Sequence, residues 1–208
     1  QQVMSLGRGI NRVVFMGIGE PLHNYDNVIH SIHTLRDRRG LNLSTGGVTI
    51  STIGIPKALA RLREEHLKIN LTVSLHATTN AVRHSLIPGS KSHDIDEVVD
   101  RSLSWGTRHG RPVTYVYLLL PGINDTDRDI AQLKRWFTGQ PGRINLMRWN
   151  PVEGGDIFRR ADERTVSRFR VALEGSGIST TLRDTQGRDV DAACGQLWLR
   201  RELQPPVA

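Results

Sequence analysis

The sequence predicts an α/β fold in which βα units wrap a parallel sheet, either closed as a barrel or left open. Three observations carry this. Short β-branched runs alternate with stretches of helical period along nearly the whole chain. The run at residues 113–120, Val-Thr-Tyr-Val-Tyr-Leu-Leu-Leu, reads as the clearest buried strand. The 208 residues suit one domain with a real core, and no internal repeat or low-complexity tract interrupts them.

The elements follow in order. Residues 12–16 form a short apolar run that stops at Gly17. Residues 26–38 place Val28, Ile29, Ile32 and Leu35 at helical period, with Asp26 as the expected cap. Residues 47–52 are β-branched and read as a strand, and 56–66 as a helix with Pro56 in its first turn. A strand at 69–75 precedes a helix at 94–109, whose opening acids Asp94, Asp96 and Glu97 suit the N-terminal dipole. The strand at 113–120 leads to a helix at 126–137, a strand at 143–149 and a helix at 162–174. Gly175 and Gly177 end that helix, and 178–182 is the last strand.

In folds of this kind the chemistry collects at the C-terminal ends of the strands. The segments 17–21, 51–54, 74–77, 121–125 and 149–151 are therefore read together. Gly17-Ile18-Gly19-Glu20-Pro21 is not a dinucleotide loop, because the third glycine is missing and Pro21 stands where the helix should run. Its glycines admit close approach of a ligand to the backbone, and Glu20 can face a cationic group. Ser51, Ser74, His76 and Asn150 each follow a strand, and hydroxyls, an imidazole and an amide gathered there suit a small polar molecule. Each alone is more simply a helix-cap serine or a satisfied histidine, and it is their shared position at strand ends that favours a site. His30 and His33 lie one helical turn apart without a third metal-ligand type nearby, and no serine-hydrolase elbow is present.

Composition narrows the function classes. The single cysteine, Cys194, excludes an intrachain disulfide framework and a Cys-rich zinc or iron–sulfur site built from this chain alone. Cys194 sits between Ala193 and Gly195, small neighbours that leave room for a bulky group to approach a thiolate. No apolar run reaches the ~18 residues of a membrane helix, and no secretory signal opens the chain. The net charge is +7, and 24 of the 28 basic residues are Arg, the planar phosphate reader, a balance that suits a nucleic-acid partner and equally a solvated surface set by codon bias toward Arg. Arg159, Arg160, Arg164, Arg168 and Arg170 form the densest group.

Five segments carry a family resemblance: Met16-Gly-Ile-Gly-Glu-Pro-Leu22, Val48-Thr-Ile-Ser-Thr52, Ser74-Leu-His-Ala77, Ile144-Asn-Leu-Met-Arg-Trp-Asn-Pro151 and Arg188-Asp-Val-Asp-Ala-Ala-Cys-Gly-Gln-Leu197. In this order they resemble the radical S-adenosylmethionine (SAM) RNA adenine methyltransferases, the RlmN family with its Cfr branch. The resemblance implies that Gly19 and Glu20 hold the amino group of SAM. It implies that Ser51, Ser74, Leu75, His76 and Asn150 complete the cradle and that Cys194 is the cysteine that becomes methylated. In the family one SAM methylates that thiolate by displacement. A second, cleaved reductively on a 4Fe–4S cluster, yields a radical that lets the methyl carbon add to carbon 2 of an adenine. Carbon 2 is electrophilic and offers polar methyl transfer no nucleophile. The implied substrates are 23S rRNA and tRNA, the implied partner is an electron donor, and the implied setting is a cytoplasmic monomer. Methylation at carbon 8 is the alternative within the family.

The departure is as informative. The family holds its cluster with a Cys-x-x-x-Cys-x-x-Cys loop after the first barrel strand, and a resolving cysteine and a proton-accepting Glu also lie upstream. Cys194 is the only cysteine here. The expected fold is thus a partial (βα)6 radical-SAM-type barrel missing its first strand, with an extra C-terminal strand. It spans 1–208 as one incomplete core, with a flexible tail at 203–208. The expectation is a C-terminal fragment, inactive on its own, since Gln1 is not a start. A non-catalytic RNA-binding remnant built on the arginine group is the reading of a different class.

Overall fold

Six strands, β1 (Val13–Phe15), β2 (Val48–Thr52), β3 (Asn70–Ser74), β4 (Val113–Leu119), β5 (Gly142–Arg148) and β6 (Ser179–Arg183), form one sheet in strictly sequential order. Every pairing is parallel. The computed structural model describes residues 9–16, 19–44, 46–150 and 158–183. The connecting helices are α1 (Tyr25–Arg36), α2 (Pro56–Glu64), α3 (Asn80–Leu86), α4 (Ile95–His109), α5 (Asp127–Phe137) and α6 (Glu163–Glu174). Parallel neighbours taken in chain order need right-handed crossovers, which put all the helices on one face of the sheet.

Burial records that arrangement. Val48, Ile50 and Thr52 of β2 are buried while Thr49 and Ser51 are half-exposed, and β3 and β4 alternate in the same way. The helix-covered face carries the core: Tyr115 packs on Phe137 with ring centroids 4.3 Å apart, and Tyr117 stacks with Phe169 at 6.0 Å. The other face is polar. Its rows run Ser51–Thr72–Thr114 and Ser74–Val116–Asn145–Thr181 across paired strands. A doubly wound sheet would be apolar on both faces. One apolar and one hydroxyl-lined face is instead the wall of a partial barrel, with its polar side turned inward.

Local signals set most helix ends. Asp94 accepts from the backbone N–H of Asp96 (2.9 Å) and Glu97 (3.2 Å), and Gly110 closes α4 at φ +60°. Thr126 and Asp129 form a reciprocal capping box on α5, and Asp162 caps α6 through Thr165 N–H. The expected cap on α1 is displaced. The helix begins at Tyr25, and Asp26 lies inside its first turn, because a short 3₁₀ helix at Pro21–Asn24, capped by Glu20, feeds directly into it. No clear helical period in the sequence marks the seven residues of α3. The strand expected at the end of the chain is β6, paired parallel to β5.

Candidate functional site

The C-terminal ends of β1, β2 and β3 are stitched together by side chains. Glu20, just past β1, accepts on Oε1 from Leu22 N–H (2.9 Å) and the Thr52 hydroxyl (2.5 Å), and on Oε2 from Ile53 N–H (2.7 Å). The carboxylate therefore fixes the β1 turn onto the end of β2. A carboxylate has about four acceptor positions, so capacity for a cation remains. Gly19 beside it has φ +114°, and a Cβ built there would meet nothing within 4 Å, so the backbone is open to a ligand.

Thr52 is the part of this arrangement that sequence reasoning missed. It is 2% exposed, and its hydroxyl accepts from Gly54 N–H at 2.9 Å while donating to Glu20. Gly54 in turn has φ +83°, and a Cβ there would fall 2.4 Å from Val98 Cγ1 on α4. The turn can lie this close to α4 only with glycine at that position.

Ser51 and Ser74 both sit half-exposed on the polar face at the strand ends. Leu75 is fully buried and donates its N–H to Val116 O (3.0 Å), so it supports the site from behind. His76 adopts φ +56°, one of two non-glycine residues among the described ones in the left-handed region. Such a conformation costs about 1–3 kcal/mol and persists only where its surroundings enforce it. Its N–H donates to Val116 O (3.2 Å), and its Nδ1 accepts from Leu118 N–H (3.1 Å). That last bond leaves the ring proton on Nε2. Burial, with the nearby Arg83 charge as the smaller cause, pushes the imidazole down to about 4, so the ring is neutral at physiological pH.

Arg83 is the second residue that went unread. It is fully buried on α3, and its Nη2 donates to the carbonyls of Ile53 and Ser74, the latter at 3.3 Å. These are the carbonyls just beyond the β2–β3 ladder, so one guanidinium joins both strand ends. Burial lowers its pKa to about 10, which leaves it charged at neutral pH.

Asn150 lies two residues past β5, where Arg160 donates to its Oδ1 (3.0 Å) and to Trp149 O (3.1 Å). Trp149 meets Phe158 edge-on, with centroids 5.1 Å apart. The structure thus brings Gly19, Glu20, Ser51, Ser74, Leu75 and His76 along three adjacent strand ends, with Asn150 two strands away. Cys194 lies outside the described residues. His30 and His33 are exposed on α1, and the described residues contain no cluster of three potential metal ligands. Within the arginine group, Arg168 pairs with Asp127 and donates to Asp125 O, whereas Arg159, Arg164 and Arg170 are exposed.

Comparison with known proteins bears on this edge. The model of the radical SAM superfamily matches residues 1–133. A protein of Rhodopseudomonas palustris named "Probable RNA methyltransferase" is 57% identical over all of this chain and 57% of its own length. A "Probable dual-specificity RNA methyltransferase RlmN" of Symbiobacterium thermophilum is 42% identical over 95% of this chain and 53% of its own. The crystal structure of a radical SAM methyltransferase from Sphaerobacter thermophilus superposes with a TM-score of 0.85 at 33% identity, covering 94% of this chain and 57% of that one. The chain spans little more than half the length of these relatives.

Proposed function

This chain belongs to the radical SAM superfamily, and from that membership we propose that it forms the SAM-binding wall of an RNA adenine methyltransferase of the RlmN type. The proposed reaction is methylation at carbon 2 of an adenine in 23S rRNA, with tRNA as a second substrate. The observation that carries this reading is the joined strand-end edge of Glu20, Ser51, Ser74 and His76, in a chain similar to RNA methyltransferases along most of its length.

SAM is a cationic amino acid joined to a nucleoside, and the residues present suit it. Glu20 supplies negative charge for the ammonium group, and Gly19 supplies open backbone beside it. Ser51 and Ser74 offer hydroxyls, Asn150 an amide, and His76 a neutral N–H donor. When bound, SAM supplies the methyl group and the one-electron chemistry that an electrophilic carbon requires. The chain's own residues bind and orient. Gly19 and Glu20 would hold the amino group, Ser51, Ser74 and Asn150 would complete the cradle, His76 donates from Nε2, and Leu75 lies buried behind it. Cys194 is the proposed thiolate that takes the methyl group.

A 4Fe–4S cluster does not fit the side chains of this chain. It needs several thiolates, and the sequence holds one. The proposed chemistry would need cluster thiolates that this sequence does not supply, together with an electron donor. An RNA partner agrees with the net charge of +7 and with the exposed Arg159, Arg164 and Arg170. No helix among the described residues is long and apolar enough to cross a membrane.

The test is nucleoside mass spectrometry of 23S rRNA and tRNA from cells with and without the gene. Loss of 2-methyladenosine on deletion supports the reading. Loss of 8-methyladenosine instead moves the target to carbon 8, and an unchanged profile overturns the methyltransferase assignment.

A further inference from the structure

His76 depends on one residue that the family resemblance did not include. The backbone carbonyl of His76 accepts from Asn124 Nδ2 at 2.7 Å. Asn124 lies 48 residues away, in the loop after β4, and is fully buried. Its second Nδ2 hydrogen goes to Leu118 O (2.7 Å), and its Oδ1 accepts from Leu120 N–H (2.8 Å). Its own carbonyl takes the Tyr117 hydroxyl at 2.8 Å. Both amide hydrogens and the amide oxygen are thus committed: one bond reaches the end of β3, and the others tie Asn124 to the end of β4.

The consequence is geometric. Leu118 donates its N–H to His76 Nδ1 and gives its carbonyl to Asn124. Asn124 therefore sets the distance between the His76 backbone and the peptide that fixes the His76 ring. Without it, the His76 backbone keeps only the contact of its N–H with Val116 O, an acceptor shared with Leu75 N–H, and the ring keeps its bond from Leu118 N–H with nothing fixing the backbone behind it. Nε2 has no hydrogen-bond partner among the described residues, so the donor selected by the Nδ1 bond is available to a ligand.

We propose that Asn124 is a positioning residue that locks His76 into one tautomer and one ring orientation, presenting Nε2–H as a fixed donor to an acceptor atom of bound SAM. The inference rests on the reading of the strand ends as a SAM cradle, but its structural half stands apart from that reading. An aspartate at 124 has no donor and sets its oxygens against two carbonyls. A serine is too short to reach both.

The test uses the 208-residue chain labelled with ¹⁵N-histidine, with His76→Gln identifying the His76 signals. The wild-type ring should show a single neutral form, unprotonated at Nδ1 and protonated at Nε2, and SAM should bind on calorimetric titration. Asn124→Ser should give a tautomer mixture at His76 and weaken SAM binding about tenfold, the worth of one well-placed hydrogen bond. Val166→Ala, a core truncation on α6, controls for lost stability and should leave the tautomer and the affinity unchanged. A single Nε2–H form that survives in a folded Asn124→Ser variant overturns the proposal, and so does a wild-type ring protonated at Nδ1. A wild-type chain that shows the locked tautomer, loses it in Asn124→Ser and never binds SAM removes the cradle reading while leaving the positioning role in place.

Discussion

Replacing Thr52 by valine removes one hydroxyl and keeps the side-chain shape. Thr52 is 2% exposed, and its hydroxyl stands between Gly54 N–H at 2.9 Å and Glu20 Oε1 at 2.5 Å. The variant loses a charge-assisted bond worth about 1.5–3 kcal/mol and leaves a buried N–H unpaired at about 1–3 kcal/mol. The extra buried methyl returns about 0.8 kcal/mol. The net destabilisation is about 2–5 kcal/mol, which for a chain of this size lowers Tm by about 2–4 °C per kcal/mol. Reversible urea denaturation followed by circular dichroism measures it directly. Thr52→Ser keeps the hydroxyl and should recover most of the loss. A Thr52→Val variant within about 0.5 kcal/mol of wild type, or a serine variant as unstable as the valine one, refutes the reasoning.

Three further outcomes follow from the same geometry. Gly54→Ala should cost about 2–4 kcal/mol, because it combines a left-handed backbone with a Cβ 2.4 Å from Val98 Cγ1, and Val98→Ala added to it should restore part of the loss in urea titrations. The His76 pKa of about 4 is below its unfolded value near 6.5, so between those limits the unfolded chain binds a proton that the native one does not. Stability should accordingly fall as pH drops from about 6.5 towards 4 and level off below, and His76→Gln should flatten that part of the profile. Arg83→Met removes a positive charge beside His76, so the imidazole titration seen by NMR should move up from about 4 while staying below the ordinary histidine value, since burial is the larger cause.

Much of the fold was legible because β-branched runs and helical periods alternate cleanly, and residues at strand ends can be named without knowing their neighbours. Ser51, Ser74 and His76 were reachable in this way. Residues acting across long sequence separations were not. Thr52 meets Glu20 over 32 residues, and Asn124 meets His76 over 48. Nothing local marks either as more than a strand threonine or a turn asparagine. Arg83 was hidden for a different reason. It lies on α3, only seven residues long, whose mixed composition gives no clear period and whose arginine looks like a surface residue until the strand-end carbonyls are placed beside it. The displaced start of α1 shows a local competition. Asp26 has the chemistry of a cap, but Glu20 and Pro21 begin a turn earlier and leave Asp26 inside the helix.

Titration calorimetry of SAM against the wild-type chain and against Ser74→Ala, Glu20→Ala and His76→Gln tests most directly whether the joined strand ends form a SAM cradle. The account predicts saturable one-site binding to wild type, weakened about tenfold or more in each variant that remains folded. Binding that is absent in the folded wild-type chain, or that survives all three substitutions unchanged, would contradict it.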